Sequence, residues 1–189
     1  MKHIATVALM LNLGVAGVYA QQRAVKMTFS GTLGPSTLSL QPNTNTDEQN
    51  LAGNGTLGPF TFRELHADIA APQPSSTCSG PTKLYFPTVA GAGVFRFQDG
   101  SLLTVGVTEA GSSICIDLTS FVAHLTTNYQ ITGGTGRFKD ASGTLTLTAT
   151  LIPVLRNASG GVVLGTDTGE FEGTVSGVAI GEDGQDERH

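Results

Sequence analysis

Residues 129–151 read YQITGGTGRFKDASGTLTLTATL, and this stretch decides the fold. Its second half alternates without a break. Leu145, Leu147, Ala149 and Leu151 fall on one side, and Thr144, Thr146, Thr148 and Thr150 on the other. A repeat of two is the side-chain period of an extended chain, so the segment predicts a β-strand with one buried face. Which face is the interior one stays open, because threonines can line a polar lumen as well as an outer wall. Just upstream lie Gly133, Gly134 and Gly136. Glycines at such a turn supply positive φ or close backbone approach where a side chain would clash. The stretch therefore reads strand, tight turn, short excursion, strand.

The same alternation spreads in both directions. Towards the N-terminus, Phe121, Ala123, Leu125, Tyr129 and Ile131 share one face of a strand over 121–132. Further strands are predicted over 24–33, 36–40, 60–68, 83–86, 91–97, 101–108 and 113–118, with Asp99-Gly100 as a hairpin turn. Glycines opening the 91–97 segment suggest a bend or bulge. Beyond the central hairpin, a turn leads into 162–164, and 168–180 reads as the last strand. The polar run QPNTNTDEQNLAGNG over 41–55 predicts a long loop, and the Pro/Ser-rich 70–82 another. Eight to ten short strands with glycine turns argue an all-β sandwich or an up-and-down barrel.

Composition supports this class. Of 189 residues only 13% are charged, 25 are glycine, and the net charge is −5. Clustered Lys and Arg are missing, so a nucleic-acid partner is not expected. At the N-terminus, Lys2 and His3 precede an apolar run from about Ile4 to Val18. Val18-Tyr19-Ala20 then offers small residues at the −3 and −1 positions before Gln21. These features predict a signal peptide over 1–20, a barrel domain over 21–180 and a polar disordered tail over 181–189. No later segment reads as a membrane span. The expected location is secreted or extracytoplasmic, and there the two cysteines, Cys78 and Cys115, are expected to form one disulfide.

Few residues stand out as chemistry. Glu64 follows Phe60 and Phe62 on one strand face, with His66 after it. Burial beside aromatics makes a carboxyl a general acid or base; the plainer reading is that the strand leaves the core there and Glu64 is solvated. His124 lies on a polar face and is expected to be a surface histidine. Asp167, Glu170 and Glu172 have the charges for a weak calcium site, but a charged solvent face is the simpler expectation. No metal-ligand spacing and no cofactor motif is seen.

The segment from Ile131 to Gly143, with Gly133, Gly134, Gly136, Phe138, Ala141 and Gly143, resembles the glycine turn of the allene oxide cyclase and dirigent barrel superfamily. The chain is also similar to exported bacterial proteins of unassigned function that carry the same GGTGRF and GEFEGTVSG stretches. The matching residues are structural. The resemblance implies a single antiparallel eight-stranded barrel, calycin-like, with an interior able to accept an apolar molecule, and dimers or trimers. Three functions follow as expectations. The first is non-catalytic binding of an apolar or phenolic small molecule, with Phe60, Phe62, Phe95 and Phe97 as its lining. The second is a structural or interaction protein of the envelope or extracellular space with a filled barrel. The third is a cyclase or isomerase using Glu64.

Overall fold

Alternating strands become a closed wall. The computed structural model describes residues 22–158 and 160–179. It contains β1 (Arg23–Pro35), β2 (Thr44–Gly55), β3 (Phe60–Ile69), β4 (Lys83–Phe97), β5 (Leu102–Asp117), β6 (Ala123–Gly134), β7 (Ser142–Arg156) and β8 (Val162–Ser176). Each strand pairs antiparallel with the next, and β8 returns to β1, so the sheet closes into an eight-stranded barrel. Met27 faces Phe171 and Phe29 faces Gly169 across that seam. Closure leaves no free edge for another strand to pair with.

The central hairpin settles which face is inside. Leu145 and Leu147 are 1% exposed, and Ala149 and Leu151 are also buried. The threonines between them line the outer wall. Removing such side chains from water supplies about 1.5–3 kcal/mol for each large residue. In the β6–β7 connection, Gly133 and Gly134 end β6 and a single 3-10 turn spans Gly136–Phe138. Gly136 has φ +58°, and a Cβ there would lie 2.4 Å from Ser101 Oγ. Phe138 is fully buried, its ring centroid 4.7 Å from that of Phe97, and it plugs this end of the barrel. Gly143 opens β7.

Several predicted boundaries are corrected. Residues 41–55, expected as a loop, contain β2. Its backbone pairs with β1 on one side and β3 on the other. Its inward positions are Asp47, Gln49, Leu51 and Gly53, so half of them are polar and the apolar period is lost. Residues 36–40, expected as a weak strand, belong to the β1–β2 connection. The segments 83–86 and 91–97 are one strand, β4, with a register shift between Pro87 and Ala92. Likewise 101–108 and 113–118 merge into β5 across a shift between Thr108 and Ser113, and 162–164 joins 168–176 in β8. Extra residues on one strand bend the wall, which a closing sheet requires.

Cys78 and Cys115 are disulfide-bonded, with Cα atoms 5.7 Å apart. Cys115 sits on β5 between the inward-facing Ile114 and its neighbour Ile116, so the bond straps the 70–82 connection to the outer wall. Among the described residues no helix is long and apolar enough to cross a membrane. The segments read as signal peptide (1–20) and tail (181–189) lie outside the described residues.

Candidate functional site

The inward face of β3 changes character along its length. Phe60 and Phe62 come first, then Glu64, His66 and Asp68, all buried. Register carries this division around the barrel. Opposite the phenylalanines stand Phe97 and Phe95 on β4. Phe60, Phe62, Phe95 and Phe97 are therefore brought together. Their rings lie in direct contact, Phe62 with Phe95 at 4.3 Å and Phe60 with Phe95 at 5.5 Å between centroids. Phe171 from β8 packs 5.2 Å from Phe62 and 4.9 Å from Phe95. This half of the interior is a mutual aromatic packing. Gly93 permits it: a Cβ there would lie 2.4 Å from Phe62 Cζ.

The other half is polar. On β2, Gln49 stands opposite Glu64, and Asp47 opposite His66. From the far wall, the Tyr129 hydroxyl donates to Glu64 Oε2 at 2.8 Å. Thr88 Oγ1 on β4 donates to Asp68 Oδ1 at 2.6 Å. Gln49 Nε2 donates to Asp167 Oδ2 on β8. The His66 ring lies between two carboxylates, with Nδ1 3.6 Å from Glu64 Oε2 and Nε2 3.6 Å from Asp68 Oδ2. Of four buried side-chain atoms without a hydrogen-bond partner among the described residues, three lie here, Glu64 Oε1, His66 Nδ1 and Asp167 Oδ1; the fourth, Arg137 Nε, is ion-paired with Asp99 elsewhere. Buried polar atoms are almost always paired, so orphans grouped on one site mark a place prepared for something else.

Burial and mutual charge tune these groups. Loss of solvation pushes the carboxyls of Asp68 and Asp167 up to about 6, although His66 and their hydrogen bonds pull the other way. Asp47, half-buried at the start of β2, is raised for the same reason. Burial lowers His66, but the carboxylates of Glu64, Asp68 and Asp47 outweigh it and raise the imidazole to about 9. Tyr129 is held well above its ordinary value by burial and by Glu64.

Two readings from sequence are corrected here. Glu64 is not a solvated acid: it is 3% exposed and faces the barrel interior. Asp167 does not share a solvent face with Glu170 and Glu172; it is 0% exposed and points inward. The two glutamates lie on the outer wall, where Lys26 reaches them at 3.1 and 2.6 Å. His124 is exposed on the outer wall as expected, with Nδ1 3.4 Å from Thr150 Oγ1. Sequence alone does not mark Asp47, Gln49, Asp68 or Tyr129 as site residues. Only pairing of β2, β3, β6 and β8 brings them together, and the one local signal is the polar interruption of the β3 pattern after Phe62.

The polar half lies towards one end of the barrel. Strands run antiparallel, so the β1–β2, β3–β4, β5–β6 and β7–β8 connections all lie there. The exposed large apolar side chains of the described residues gather at that end as well. Leu38 and Leu40 come from the β1–β2 connection, and Leu118 and Phe121 from β5–β6. Ile152, Val154, Leu155, Val163 and Leu164 come from the β7–β8 hairpin. Arg156 stacks over the Phe121 ring at 3.7 Å. An apolar rim thus stands over an acid-rich interior.

No protein-family model matches the chain, and no characterised protein gives a significant sequence match.

Proposed function

We propose that this barrel binds a small amphipathic molecule, such as a substituted phenol, without changing it covalently. The apolar body would lie against the rim of Leu38, Phe121 and the β7–β8 hairpin, and the hydrogen-bond-donating head would meet the acids beneath. One observation carries this reading: Glu64 Oε1 and Asp167 Oδ1 are buried acceptors without a donor. A donor group supplied by a ligand would repay about 1–3 kcal/mol of desolvation at each. The four phenylalanines are then the packed floor beneath the ligand and not its main lining. The up-and-down closure and the turn of Gly133, Gly134 and Gly136 support placing the chain with the allene oxide cyclase and dirigent-like barrels, and its bonded cysteines support an extracytoplasmic location.

Native mass spectrometry of the protein secreted from its own host, kept in chelator, tests the reading. A retained organic mass that leaves on denaturation, and that Glu64→Gln reduces, is the expected result. A clean apo mass, joined to no thermal shift with a panel of phenols, overturns it and favours a barrel whose interior serves structure alone.

A second reading rests on a different observation. Glu64 Oε2 accepts from Tyr129 and lies 3.6 Å from His66, an arrangement suited to moving a proton. A cyclase or isomerase of this kind would exchange deuterium into an enolisable carbonyl ligand, and Glu64→Gln would lose that exchange.

A further inference from the structure

Asp47, His66 and Asp68 each present a ligand atom, and the three atoms lie within 4.8 Å of one another. Strand geometry explains the grouping. Asp47 is the cross-strand neighbour of His66, and Asp68 follows His66 on the same face of β3. The His66 Nε2 to Asp68 Oδ2 separation is 3.6 Å. That exceeds the roughly 2.7–3.2 Å of a hydrogen bond. It is close to the ~3.4 Å expected between two ligands that each sit about 2.0–2.1 Å from a tetrahedral ion.

A second observation points the same way. The imidazole is 3% exposed, and its Nδ1 has no hydrogen-bond partner. A metal-bound histidine usually passes its other ring N–H to a carboxylate. Here Nδ1 faces Glu64 Oε2, which is itself fixed by the Tyr129 hydroxyl. A carboxylate thus stands 3.6 Å from Nδ1, on the side where a ligating histidine would pass its other ring N–H. Charge favours a cation too. Glu64, Asp47, Asp68 and Asp167 surround one imidazole, and the ion pairs shown for Lys26, Arg63 and Arg137 go to Glu170, Glu172, Glu48 and Asp99 instead. Asp47 is only half-buried, so one member of the cluster meets solvent near the rim.

We propose that Asp47, His66 and Asp68 bind one divalent transition-metal ion, with Zn²⁺ or Mn²⁺ the best match to one imidazole and two carboxylates. Calcium fits less well, because it takes six to eight oxygen ligands. Three protein ligands leave a coordination position open. The inference goes beyond the small-molecule reading and does not rest on it, since the ion is measured with no organic ligand present.

The test is calorimetric titration of the mature secreted chain, stripped with chelator, using ZnCl₂ and MnCl₂ with CaCl₂ for comparison. One ion per chain is expected, with Zn²⁺ or Mn²⁺ at least ~10-fold tighter than Ca²⁺. Asp47→Asn and Asp68→Asn should each weaken binding by about 10-fold or more, while His124→Ala should bind as the parent does. His66→Gln should abolish binding; if that chain fails to fold, the half-exposed Asp47→Asn, checked by circular dichroism, carries the test. No stoichiometric binding, or unchanged affinity in Asp47→Asn and Asp68→Asn, overturns the proposal. Failure here with an organic mass still retained in chelator would leave the small-molecule reading standing.

Discussion

Tyr129 spans the barrel from β6 to reach an acid on β3, and its hydroxyl donates to Glu64 Oε2 at 2.8 Å. Its ring also packs in the aromatic half, 6.1 Å from Phe62 and 6.3 Å from Phe171. Tyr129→Phe keeps the ring and removes the donor. A hydrogen bond to a charged group contributes about 1.5–3 kcal/mol, so that is the expected loss in urea unfolding, with an unchanged m-value. A loss below about 0.5 kcal/mol would mean that Glu64 finds another donor. Gly136 tests a different residue-level cause. Its φ of +58° strains any L side chain, and a Cβ would press on Ser101. Gly136→Ala should cost about 1–3 kcal/mol, read from the same unfolding curves, with the barrel still formed by circular dichroism.

At the scale of elements, legibility followed periodicity. β7 was readable from sequence because its inward positions are Leu145, Leu147, Ala149 and Leu151. β2 was not, because two of its inward positions are Asp47 and Gln49, whose burial makes sense only once His66, Glu64 and Asp167 are beside them. The candidate site failed to show for the same reason: its members come from β2, β3, β6 and β8, and no local spacing records a partner more than a hundred residues away, as between Gln49 and Asp167. The cysteines were legible because only two exist in the chain. Their bond closes a separation of 37 residues and holds the β3–β4 connection at the rim. Loop-entropy reasoning gives it roughly 3–4 kcal/mol. Cys78→Ser with Cys115→Ser should lose about that much in denaturant unfolding, and limited proteolysis should cut within 70–82 first. Equal stability of parent and variant under oxidising conditions would show that the strap contributes nothing.

For the whole molecule, the acid-rich half conflicts with the packed aromatic half in what each does for stability, and pH exposes the conflict. Asp68 and Asp167 have folded pKa values of about 6, above the usual carboxyl value of 3.8, so they bind their protons more tightly when folded. Their stabilising contribution is fully present below about pH 4 and lost as pH rises through about 6. His66, raised to about 9 from 6.5, contributes fully below about pH 6.5 and loses that contribution as pH rises through about 9. The groups that set this balance are Asp47 and Gln49 on β2, Glu64 on β3, Tyr129 on β6 and Asp167 on β8. Solvent-accessible Glu48, Asp99 and Asp117 have lowered pKa values, so they act oppositely and lose their contribution on strong acidification. Metal-free protein should therefore melt highest near about pH 5, with Tm falling towards about pH 9. Asp167→Asn isolates the cause. Its amide oxygen can still accept from Gln49, while the buried charge is gone. Its Tm should exceed the parent's at about pH 8, and the gap should close near about pH 4–5, where Asp167 itself is neutral. The same variant should bind ligand more weakly if the acid is kept for recognition, since sites that retain function commonly sacrifice stability. A Tm lowered equally at both pH values would instead make Asp167 a structural acid, held for its bond to Gln49 and costing the barrel nothing.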